Sequence, residues 1–383
     1  MSLPLGQRAL FELPDDVTYL NCAYLAPQLR AVREAGEQAL RRRAAPWELA
    51  PRDFYSDVEH ARARFARLIG AEADQIALVH SVSYGMMVAT ACCPLRRGQN
   101  VVVLAEEFPS TIYAWRERAR RRRAQLRVAP RPTMGLDHGW TESVLAAIDA
   151  DTAVVAVTPC HWTDGGRVDL ERVGARAREV GAALVVDGTQ SIGACPFSVD
   201  AVLPDLVAFA AYKWGLCPYG VSFLYVAPRH HRARPPEHPW TSRAGSEDFS
   251  RLADYRDDFQ PGARRFDGGE RANFILLPMA VAALDQLLAW GVPSIHGALT
   301  QLTTRLADGA RSLGLEVIPA DQRAGHMLGI KFPRGLPPDL VHPLVERRIY
   351  VSVRGDALRV SPHLHSSPED IDRLLGCLRA GLA

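Results

Sequence analysis

Four short apolar runs, each followed by helix-forming sequence, constrain this chain more than any other feature. They lie at residues 76–79, 101–104, 152–157 and 183–186. None shows the polar alternation of a half-solvated strand, so each reads as a strand buried on both faces. Such strands alternating with helices argue a parallel, doubly wound sheet. Ligands of these sheets gather outside the carboxyl ends of the strands. The residues just after each run are therefore where chemistry is expected.

Two strand ends stand out. The run at 183–186 ends in Asp187, and a further apolar run at 206–211 is followed at once by Tyr212 and Lys213. Of the 45 Lys plus Arg residues, only Lys213 and Lys331 are lysine. A lysine kept where arginine serves elsewhere is a candidate for chemistry arginine cannot do, because its amine can deprotonate and form a Schiff base. An acid and a lysine facing one crevice suit pyridoxal 5′-phosphate: the lysine holds the aldehyde and the acid keeps the pyridine nitrogen protonated. The plain alternative is a turn-forming Asp and a rim Lys. After the first run, Ser81, Val82 and Ser83 open an apolar helix. Free N–H groups, the helix dipole and two hydroxyls make a phosphate cradle there; a simple serine N-cap would look the same.

The stretch DGTQSIG from Asp187 through Gln190, with AYKWGLCPYG around Lys213, resembles the class V aminotransferase family of fold-type I pyridoxal phosphate enzymes. That group contains cysteine desulfurases, kynureninase and isopenicillin N epimerase. The resemblance implies an α/β fold, with a large domain built on a mostly parallel mixed sheet and a small α+β C-terminal domain. It implies pyridoxal 5′-phosphate as cofactor. Lys213 would carry it, Asp187 and Gln190 would meet its ring, and Ser81, Val82 and Ser83 its phosphate. Phe108 in EEFPS would stack on the ring, where desulfurases have His. In TPCHWTDGG, His161 fits the family pattern, Thr163 replaces its Ser, and Asp164 replaces an Asn that sits near the phenolic oxygen. Ala210 lacks a hydroxyl that many relatives have, and Tyr212 would supply a second phosphate donor. Gly269 would reach the cofactor phosphate of a partner subunit, which implies a homodimer. Arg359 in RVSPHLH would hold the substrate carboxylate, a task its guanidinium fork suits, with Arg354 as runner-up. Asn21 in YLNCAYLAP would be a polar contact on the substrate side, although an Asn closing a turn reads equally well.

The expected organisation is an N-terminal arm over 1–15, a large cofactor domain over 16–275, a linking helix over 276–293 and a small domain over 294–383. Net charge is +2, which offers no electrostatic case for nucleic acid or membrane. The basic stretch 116–127 reads as an exposed helix face, and His230 and His231 as surface residues. Seven cysteines show no zinc-type spacing, so no metal is expected and the pattern fits a reducing, cytoplasmic setting. The first residues lack a charged segment leading into an apolar one.

The expected function is a reaction at Cα of an amino acid through the Lys213 Schiff base, with transamination first. A β-eliminating C–S lyase acting on an S-substituted cysteine and an amino-acid epimerase are alternatives. A non-catalytic, cofactor-binding regulatory or partner protein is an alternative of another class. The hairpin at 352–357 holds no cysteine, which argues against a desulfurase.

Overall fold

A computed structural model of the chain describes residues 6–133 and 139–382. Its strands are β1 (Thr18–Tyr19), β2 (Ile76–Val79), β3 (Asn100–Leu104), β4 (Gln125–Ala129), β5 (Thr152–Val157), β6 (Ala183–Asp187) and β7 (Leu206–Ala210). Then follow β8 (Ser222–Val226), β9 (Glu316–Val317), β10 (Leu328–Lys331), β11 (Ile349–Tyr350), β12 (Ser352–Arg354) and β13 (Ala357–Val360).

Seven of them form the main sheet, in the order β2-β8-β7-β6-β5-β3-β4. Only β8 runs antiparallel to its neighbours; the other pairs are parallel. Every residue of β2, β3, β7 and β8 is buried, which is why residues 76–79, 101–104 and 206–210 read as apolar runs. The chain adds β4 on one side of β3 and β5 on the other, so a switch point opens between β3 and β5.

β4 corrects the reading of residues 116–127 as one helix face. The helix there is Pro109–Arg122, Arg123 turns the chain in a left-handed conformation, and the strand begins at Gln125. As the edge strand, β4 pairs with β3 alone and leaves Gln125 and Val128 exposed, so it lacks the apolar continuity of the inner strands. His230 is also less exposed than expected, because its ring is paired with Asp205.

The helices Leu276–Trp290 and Val292–Ser312 lead to an antiparallel four-stranded sheet, β12-β13-β10-β9. One hydrophobic cluster runs through both regions, joining Phe209 and Phe223 to Leu287, Leu302, Leu328 and Leu358. β1 pairs with β11, not with the main sheet. Beyond it, the Leu20 carbonyl accepts from the Ser361 N–H at 2.8 Å, and the Cys22 N–H donates to the Ser361 carbonyl at 3.0 Å. The N-terminal segment is thus stitched to the C-terminal sheet beside the site. No single helix among the described residues is long and apolar enough to cross a membrane.

Candidate active site

The carboxyl ends of β2, β6 and β7 and the loops after β3 and β5 enclose a cavity of about 300 Å³. Lys213 lies just past β7 with its side chain buried. Its Nζ is 5.4 Å from the centre of the Phe108 ring and 5.6 Å from that of Tyr212. Among the described residues the amine has no hydrogen-bond or ion-pair partner. Burial pushes it down to about 8, against the pull of Asp187 and with help from Arg359 and Arg354.

Asp187 ends β6 and is held at both oxygens. Oδ1 accepts from the Thr189 N–H at 3.0 Å, and Oδ2 accepts from the Thr111 hydroxyl at 3.0 Å. Gln190 is fixed by Trp214, whose Nε1 donates to Oε1 at 3.0 Å, and by its own Nε2 donating to the Ala23 carbonyl at 3.1 Å. One N–H of that amide is left for another acceptor.

Ser81 caps the Val82–Cys92 helix, accepting from the Tyr84 N–H at 3.2 Å. Its hydroxyl also meets that of Ser83 at 2.8 Å. The serine caps the helix, and Ser81, Val82 and Ser83 also line the cavity. Ser222 stands opposite Ala210 in the β7–β8 ladder and lines the same cavity, offering a hydroxyl beside the one that Ala210 lacks. Phe108 opens the Pro109–Arg122 helix, and the Trp162 ring meets it edge-on at 5.6 Å. Tyr212 packs on Tyr219 with ring centres 4.6 Å apart.

Four expected residues are not among those lining this cavity. Asp164 is not among the residues lining this cavity; it is buried, forms an ion pair with the partly exposed Arg131 and accepts from the Gly166 N–H at 3.0 Å. Replacing Asn by Asp there recruits an arginine partner rather than presenting a charge to Lys213. Arg359 reaches the cavity only indirectly: its Nη1 donates to the carbonyl of Trp162 at 2.7 Å, while its buried Nε has no partner among the described residues. Burial and the nearby Arg354 push the guanidinium down to about 9. Asn21 bridges to Ser361 and keeps a buried Oδ1 that has no partner among the described residues. The Gly269 N–H donates to Glu237 at 3.0 Å, and its carbonyl meets His80 at 2.6 Å.

Glu107 was missed by the sequence reading. It lines the cavity, is buried, and has one carboxyl oxygen accepting from the Phe108 N–H at 2.7 Å while the other has no partner among the described residues. Burial pushes its carboxyl up to about 8, and Asp187 adds to the effect. Thr111 and Thr189 were missed as well; only the fold shows that they grip Asp187.

The family model for aminotransferase class-V matches residues 45–383. An uncharacterized aminotransferase, YcbU, of Bacillus subtilis (strain 168) is 25% identical over 96% of this chain and 95% of that protein. Isopenicillin N epimerase of Amycolatopsis lactamdurans is 28% identical over 97% of each chain. Among solved structures, a C-DES mutant with glycine covalently linked to the PLP cofactor superposes with a TM-score of 0.87 at 18% identity, covering 98% of this chain and 99% of that one.

Proposed function

Because the chain belongs to the aminotransferase class-V family, we propose that it acts at Cα of an amino acid with pyridoxal 5′-phosphate on Lys213, and that its reaction is transamination. The observation that carries this reading is the buried amine of Lys213, unpartnered among the described residues, in one cavity with Asp187 and the Ser81–Ser83 turn. The cavity suits the cofactor in chemistry as well as size. Anion-accepting groups stand at Ser81 and Ser83, aromatic faces at Phe108 and Tyr212, and a fixed carboxylate at Asp187. When bound, the cofactor supplies an aldehyde for the amine and a ring that takes up the electron pair released at Cα.

The chain's own residues do the rest. Desolvation leaves the Lys213 amine close to half unprotonated near pH 8, so it can attack a carbonyl and later take a proton from Cα. Thr111 and Thr189 hold the Asp187 carboxylate against rotation. The guanidinium of Arg359 is assigned to the substrate carboxylate, through the face not used by Trp162. Trp162 and Phe108 wall the cavity and limit water. No cysteine is among the described residues lining it, which favours a route without a thiol nucleophile. Gly269 is assigned to the phosphate site of a second subunit, which makes the working form a homodimer.

The experiment is mass spectrometry of the holoenzyme with a panel of amino acids and S-substituted cysteines. Keto acid together with aminated cofactor supports transamination. Pyruvate, ammonia and a released thiol would replace it with elimination, and inverted amino acid with epimerisation.

A further inference from the structure

Behind the cavity, three residues from distant parts of the chain converge. Cys195 is in the loop after β6, His296 on the Val292–Ser312 helix, and His326 just before β10. One potential ligand atom from each lies within 4.8 Å of the others. The Cys195 Sγ is 2.9 Å from His326 Nδ1 and 3.5 Å from His296 Nδ1. We propose that Cys195, His296 and His326 form a three-ligand site for a zinc-class divalent ion, which clamps the C-terminal sheet onto the loop carrying Gln190.

The donor set is one thiolate sulfur and two imidazole nitrogens, which selects zinc over the hard cations magnesium and calcium. Tetrahedral zinc with bonds of about 2.3 Å to sulfur and about 2.0 Å to nitrogen places those atoms roughly 3.5 Å apart. The Cys195–His296 separation already matches, and the shorter Cys195–His326 hydrogen bond has to open by about 0.6 Å. His326 is set up as a ligand on its other side. Its Nε2 lies 2.6 Å from the Gln190 carbonyl and donates to it, which leaves Nδ1 with a bare lone pair toward the sulfur. An imidazole ligand oriented by a backbone carbonyl is the usual supporting arrangement of protein metal sites. His296 Nδ1 also lies 3.2 Å from the Ala194 carbonyl, so binding exchanges that contact for a metal bond. Gly325 makes room for the His296 ring: a Cβ there would stand 2.9 Å from His296 Cε1. An adjoining cavity of about 450 Å³, lined by Cys195, His296 and Gly325, leaves space for water as the fourth ligand.

Loading releases the Cys195 thiol proton to solvent and forms a zinc–sulfur bond, with no change of oxidation state. The clamp is one residue from the cofactor cavity, since His326 grips the Gln190 backbone while Trp214 grips the Gln190 side chain. Trp214 meets the His326 ring edge-on at 4.5 Å.

The test uses the holoenzyme, stripped of metal on a chelating resin, given one equivalent of Zn²⁺ and desalted. The site predicts one retained zinc per chain, an X-ray absorption spectrum with one sulfur and two imidazole neighbours, and a rise in Tm on loading. Cys195→Ser should lose the sulfur signal, and His296→Ala should bind zinc at least about tenfold more weakly. Both side chains are half-buried, so both variants are expected to fold. Equal zinc retention by wild type and Cys195→Ser, or a zinc spectrum without sulfur, overturns the proposal.

Discussion

The hydroxyl of Thr111 donates to Asp187 Oδ2 at 3.0 Å. It comes from the helix that Phe108 opens, so the wall of the cavity and the orientation of its carboxylate are set by one element. Thr111→Val keeps the shape and removes the donor. The lost charge-assisted bond is worth roughly 1.5–3 kcal/mol, so cofactor affinity is expected to fall about tenfold or more. Spectrophotometric titration of apo-protein with pyridoxal 5′-phosphate measures this; an unchanged affinity means that Thr189 alone suffices.

Lys213 should be captured by pyridoxal 5′-phosphate and borohydride at a pH lower than for an ordinary lysine. Its amine titrates near 8 because it is buried, so the unprotonated fraction grows as pH rises through 8. Mass spectrometry of the reduced adduct across pH 6–10 follows the curve. Lys213→Arg should give no adduct at that peptide, and an adduct at Lys331 instead would move the assignment.

Arg359→Ala should raise KM for the amino acid by about 10- to 100-fold while changing kcat less, since a charge-assisted carboxylate bond contributes roughly 1.5–3 kcal/mol. Arg359→Lys should restore only part, because an ammonium cannot form the fork. An unaltered KM would pass the role to Arg354.

Glu107 carries a cost that depends on pH. Its folded carboxyl is raised to about 8, above its ordinary value. The folded state therefore keeps a proton that the unfolded chain releases near 4.5. Stability from this group is fully present at low pH and is lost as pH rises toward 8, on the order of a few kcal/mol. Glu107→Gln should flatten the fall in Tm of apo-protein between pH 5 and 8. Equal slopes in the two proteins would show that the carboxyl ionises freely.

His363 and His365 act in the opposite direction. Burial pushes His363 down to about 3, with His365 and His326 adding to the effect. His365 goes down to about 4, despite its bond to the Tyr19 carbonyl and the pull of Asp370, with Arg8 opposing that pull. Both stay neutral in the folded protein while the unfolded chain protonates near 6.5, so stability falls as pH drops below that. At pH 5 each contributes a loss of about 2 kcal/mol. His363→Leu should lessen the drop in Tm between pH 7 and 5, and thermal denaturation at the two pH values decides it.

What the sequence made legible follows from burial. The inner strands announce themselves because both faces are covered, and Asp187 and Lys213 are marked by standing where such strands stop. β4 hid because an edge strand needs only one covered face and here shares its residues with an arginine-rich run. Glu107 hid because an acid beside another acid reads as a solvated loop. Thr111 and Thr189 are ordinary hydroxyls until the fold turns them onto Asp187. The pairing of Asp164 with Arg131 hid because the two are 33 positions apart in the chain. No spacing rule joins Cys195, His296 and His326, which only the packing of a helix and two loops brings together.

The stitch between Ala23 and Ser361 joins residues 338 positions apart. Ala23 is also the acceptor for Gln190. During synthesis, all seven strands of the main sheet are made before Ser361, which secures Ala23. Contacts of such long range close late. The strands leading to Asp187 and Lys213 can pair early, but the wall behind Gln190 waits for the last residues. A chain truncated before Ser361 should therefore keep its sheet and lose a finished site, making cofactor loading the final event of folding.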